Sequence, residues 1–86
     1  MRKNKVVDSF LQVDVSDLKF PIISVFYNPL DQPGKYVARM FDLDQPTDTS
    51  MVKDTLAELY EGFPPNLTRI PRQPNDHESV VEMWLY

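Results

Sequence analysis

The sequence predicts an α+β fold, a small antiparallel sheet of about four to five strands with one short helix, about residues 55–62, packed on one face. Three features of the chain predict it. Residues 22–28 (IISVFYN) and 35–43 (KYVARMFDL) are rich in β-branched and aromatic side chains and are separated by NPLDQPG, a segment dense in residues that set turn dihedrals. The segment Thr55-x-x-Glu58 has the form of a capping box, in which a hydroxyl satisfies an early helix N–H just before an apolar stripe. Residues 80–86, VVEMWLY, read as a strand with alternating faces.

At 86 residues the chain is expected to be a single domain over 1–86. A chain of this size buries only about 60–65% of the surface its unfolded state exposes, so the core must be economical. Residues 1–5, MRKNK, are basic and polar and are expected to be disordered. Leu11, Val13 and Val15 alternate with Gln12 and Asp14, which predicts a strand over about 9–15, although Val6, Val7, Phe10 and Leu11 also have helical spacing. Residues 16–20 read as a connection that ends at Pro21.

In the run 22–28, Ile22 and Phe26 lie on one side, with Ile23, Val25 and Tyr27 on the other. Gly34 can take positive φ before the next strand, so 22–28 and 35–43 are expected to pair as a hairpin. Along the second run Tyr36, Ala38 and Met40 point one way, and Val37, Phe41 and Leu43 the other. Apolar side chains on both sides suit a strand whose two faces are both covered. Arg39 shares the face of Val37 and Phe41, so its stem is expected to cover apolar surface while its head reaches an edge or a carboxylate such as Glu82.

DQPTD, residues 44–48, reads as a second turn. Beyond it, residues 49–53 suit either a third strand or the start of a helix near Ser50. The capping box favours strand first and helix from Thr55, with Asp54 at the positive end of the helix dipole. The stripe Leu56, Leu59, Tyr60 and Phe63 is expected to face the sheet. Gly62 suits a left-handed C-terminal position, and Pro64-Pro65 cannot continue a helix. Residues 66–70 form a short strand or an extended segment, and 71–79 form the longest polar loop.

Chemistry is sparse. No cysteine is present, which removes disulfides and thiolate metal sites and fits a reducing, cytoplasmic setting. The single histidine, His77, rules out His-pair metal motifs. It lies between Asp76 and Glu78 with Ser79 next, but no nucleophile motif surrounds it. Asp42, Asp44 and Asp48 do not complete a calcium loop, since Thr47 and Lys53 stand where glycine and glutamate are needed. Neither a metal nor a cofactor is expected.

The net charge of −4 argues against nucleic acid and anionic membranes as partners. No apolar run reaches the roughly 18 residues of a membrane span, and Asn66-Leu67-Thr68 without a secretory signal reads as an accidental glycosylation motif. Residues 42–61 hold six carboxylates against Lys53 alone, a local charge of −5, which could imitate a phosphate backbone.

If the helix covers the face of Val37, Phe41 and Val81, then some of Tyr27, Tyr36, Met40, Trp84 and Tyr86 need another cover. The candidates are residues 6–20, a second copy, or a partner, and residues of these types are enriched at interface cores. The expectation is a non-enzymatic interaction module that binds protein, or itself, through that apolar and aromatic sheet face or a terminal edge strand. The alternatives are an acidic nucleic-acid mimic that inhibits a DNA-binding protein, and a small enzyme built on the His77 loop.

Overall fold

The computed structural model describes residues 5–43, 45–74 and 79–86. Asp44 and the histidine candidate His77 lie outside these residues, as does most of the segment expected to be disordered at the start of the chain. Lys5, the last residue of that segment, is part of a strand. The expected hairpin forms from β2 (Pro21–Tyr27) and β3 (Tyr36–Asp42), paired from Pro21 opposite Asp42 to Tyr27 opposite Tyr36. Its connection uses the expected chemistry. Gly34 takes φ +74°, and Asn28, at φ +55°, accepts the Gly34 N–H on Oδ1 at 2.7 Å, an arrangement that asparagine tolerates better than other side chains.

The sheet has six strands rather than four to five. Besides β2 and β3 it contains β1 (Lys5–Val6), β4 (Gln45–Lys53), β5 (Thr68–Pro71) and β6 (Val80–Leu85), in the order β1-β4-β3-β2-β6-β5. It is also not wholly antiparallel. β1 runs parallel to β4, with Lys5 opposite Thr49 and Val6 opposite Ser50.

The strand expected over 9–15 does not form. Phe10–Gln12 is a single 3-10 turn capped by Ser9, whose Oγ accepts the Leu11 N–H at 3.1 Å. The reason lies in packing: Phe10 is buried, and Val7, Val13, Val15 and Leu18 all pack on the same core. An alternating strand would turn half of them away.

β4 is also longer than expected and absorbs most of the turn-rich DQPTD. A bulge allows this, since Arg39 lies opposite Ser50 while Phe41 lies opposite Pro46. The extra residues of β4 loop out, and the Thr47 hydroxyl donates to the Met40 carbonyl at 2.7 Å. Proline, which cannot donate to the ladder, sits beside the irregularity.

The helix α1 (Leu56–Glu61) has the expected cap: Thr55 Oγ1 accepts the Glu58 N–H at 3.2 Å and donates to Glu58 Oε1 at 3.0 Å. Gly62 ends it at φ −91°, so the left-handed ending does not occur. Its glycine is needed for another reason. A Cβ there would stand 2.5 Å from Met51 Sδ and 3.3 Å from Ser9 Cα.

The sheet has two unlike faces. The inner face carries Ile23 and Val25 of β2, Ala38 and Met40 of β3 and Met51 of β4, all buried, with Leu59 of α1 and Phe10 closing over them. The outer face carries Ile22, Ser24 and Phe26, then Val37, Arg39 and Phe41, with Ser50 and Val52 on one side and Met83 and Leu85 on the other, as the register dictates. The helix therefore covers the face of Tyr36, Ala38 and Met40, the reverse of the expected assignment.

Register explains the choice. Arg39 is flanked by Ser24 and Ser50, a polar row across the middle of the outer face. Covering it with a helix would desolvate a guanidinium and two serine hydroxyls, whereas the face of Ala38 and Met40 carries no such row.

Candidate functional site

The inner face is closed by a cluster built around Glu82, which is 2% exposed. Glu82 lies opposite Val25 on β2 and Pro71 on β5, so strand alternation turns its side chain inward. Its Oε2 accepts the Tyr60 hydroxyl and the Trp84 Nε1–H, each at 2.5 Å, and its Oε1 accepts Arg69 Nε–H at 3.1 Å. A buried carboxylate is stable only when paired and hydrogen-bonded in this way. Around it Tyr60, Phe63 and Trp84 meet edge to face with centroids 5.5–5.7 Å apart, within the favourable range for aromatic pairs.

Burial, together with the hydrogen bond to Glu82 and its negative charge, pushes the Tyr60 phenol up to about 12, while Arg69 pulls it partly back. The cluster ties α1, β5 and β6 together. Both carboxylate oxygens are already engaged.

Of the residues expected to bind, Met40 is buried in the inner core. Tyr36 and Trp84 pack against that core. Tyr27, exposed at the end of β2, meets Tyr36 in a tilted ring pair with centroids 4.7 Å apart, and Tyr86 lies partly exposed at the other end of the sheet, where its partial burial raises the phenol above the ordinary value. The cover of Tyr36, Met40 and Trp84 comes from α1 and residues 7–18 of the same chain. Arg39 does not reach Glu82, which lies on the opposite face. Its Nη2 donates to Asp31 Oδ2 at 2.7 Å, which draws the 28–34 connection over Val37 and buries it.

Beyond that connection, no helix among the described residues packs on the outer face. Ile22, Phe41, Ile70, Met83 and Leu85 are only half-buried there, in contrast to the inner core. Phe20 and Leu43, opposite each other where β2 and β3 meet their ends, are 53% and 60% exposed, and the Leu43 N–H bonds the Phe20 carbonyl at 2.9 Å. Leu43 has φ +58°, a left-handed conformation that disfavours a leucine. At the opposite end of the face, a depression of about 770 Å³ opens between Phe26, Leu30 and Arg39.

No protein-family model matches the chain, and neither a curated protein nor a solved structure does.

The carboxylates of the acidic stretch are partly engaged at home. Asp42 Oδ1 accepts the Phe20 N–H at 2.9 Å, Asp54 is ion-paired with Lys35, and Glu58 belongs to the capping box. No group of three or more metal-ligating side chains occurs among the described residues. None of the helices there is long and apolar enough to cross a membrane.

Sequence reasoning missed the outer face as the open one. The signal was the hairpin itself, since pairing 22–28 with 35–43 sets Arg39 opposite a serine.

Proposed function

We propose that this domain is a non-enzymatic interaction module that docks a protein partner on the outer face of its sheet. The observation that carries the reading is the incompletely buried row Ile22, Phe41 and Leu85, continued to the rim by exposed Phe20 and Leu43. Contiguous apolar surface of this kind marks contact sites. The reading moves the contact surface away from Met40, Tyr36 and Trp84, which the domain uses to hold itself together.

The non-enzymatic part rests on Glu82, the one buried carboxylate among the described residues. Three donors from the domain itself already hold both of its oxygens, which makes it a structural acceptor rather than a base poised towards a substrate proton.

A photo-crosslinking amino acid at position 41 tests the reading. Crosslinked product should form from position 41 and not from position 11, which is more exposed to solvent but lies outside the outer face. Equal labelling from both, or none from position 41, would defeat it.

A further inference from the structure

We infer that the occupant of the outer face is a second copy of this chain, docked face to face across a two-fold axis. This rests on the reading of the outer face as a docking surface and adds the identity of the partner.

The first argument is charge. The chain carries −4, so two copies repel wherever their acidic surfaces meet. Among the described residues, the charged side chain of the strands on the outer face is Arg39, and it is already paired with Asp31 at 2.7 Å. A second copy arriving there meets no unpaired like charge among those strand residues. A basic partner would instead be steered to Asp48, Glu58 and Glu61, exposed along β4 and α1.

The second argument is area. Six strands of two to nine residues, rising about 3.3 Å per residue and about 4.8 Å apart, present roughly 500 Å² of face per copy. Two copies then bury about 1,000 Å², the lower bound for a specific interface, so the dimer belongs with weak, exchanging complexes.

The third argument is self-complementarity. A two-fold interface uses the same patch twice, and the row Ile22, Phe41 and Leu85 with Phe20 and Leu43 at its rim offers apolar surface to apolar surface.

Sedimentation velocity from about 1 μM to about 1 mM should show a monomer of 10.1 kDa in exchange with a dimer. Added salt should strengthen the dimer, because screening removes repulsion between the two acidic copies. Leu43→Gly relieves the left-handed strain and Ile22→Thr and Phe41→Ser lie outside the inner core, so all three variants should stay folded. Each should raise the dimer dissociation constant about tenfold or more, the effect of losing one interface anchor.

A monomer throughout that concentration range overturns the inference. So does a dimer indifferent to these substitutions, or one that salt dissociates. If the chain is monomeric yet position 41 still crosslinks to another protein, the self-docking inference fails and the docking surface stands. If position 41 crosslinks to nothing, both fail.

Discussion

Gly62 shows how a residue can be right for the wrong reason. A glycine after the helix suggests a left-handed cap, yet at φ −91° any residue could adopt its backbone. What only glycine permits is the close approach of Met51 and Ser9. Gly62→Ala should therefore cost about 1–3 kcal/mol by overpacking, read from urea midpoints. Combining it with Met51→Ala should cost less than the two changes separately, because they share one space.

Glu82 is the other decisive residue. Glu82→Ala leaves Arg69, Tyr60 and Trp84 without their acceptor, and should cost about 1–3 kcal/mol. A loss below about 1 kcal/mol would mean that water replaces the carboxylate.

Tyr60 provides a reporter of the same cluster. Its folded value of about 12 lies above the ordinary 10.0, so the folded state holds a proton that the unfolded chain releases. That contribution to stability is complete below pH 10 and is lost as pH rises towards 12. Tyr60→Phe should remove this loss, which unfolding measured across that window would reveal as a shallower decline.

The elements differ in how openly their sequences declare them. The hairpin and the helix were readable because each carries local punctuation: Gly34 and Asn28 for one, the Thr55 and Glu58 exchange for the other. Thr55→Ala should cost about 1 kcal/mol through loss of the cap, and Thr55→Ser should restore it. An alanine variant with unchanged thermal midpoint would show that α1 is held by Leu59 alone.

β1 and the 3-10 turn were not readable. A two-residue strand has no period, and Phe10 leaves the strand pattern only because the core needs a large side chain beside Phe63, 6.2 Å away between ring centroids. β4 was half readable, its start hidden because Pro46 signals a turn unless the bulge beside it is known.

At the scale of the molecule, apolar alternation showed that both faces of β2 and β3 are apolar but could not say which one α1 would choose. That choice belongs to the polar row of Ser24, Arg39 and Ser50, which becomes visible only once the hairpin register is applied. Paired substitutions make the difference measurable. Met40→Ser should unfold the domain, since large-to-small changes in such a core cost about 2–5 kcal/mol. Phe41→Ser, its neighbour on the outer face, should cost much less, and equal costs would show that the outer face is a second core.

The strand order also has a consequence for synthesis. β6 is last in sequence but lies between β2 and β5, and it brings Glu82 to donors on α1 and β5. A nascent chain whose residues 80–85 are still inside the ribosome has Tyr60 and Arg69 waiting without their acceptor, and β2 open on one side. Folding should therefore be withheld until β6 emerges rather than advance strand by strand. Nascent chains arrested before β6 is released should be digested rapidly by protease, and those arrested after its release should resist.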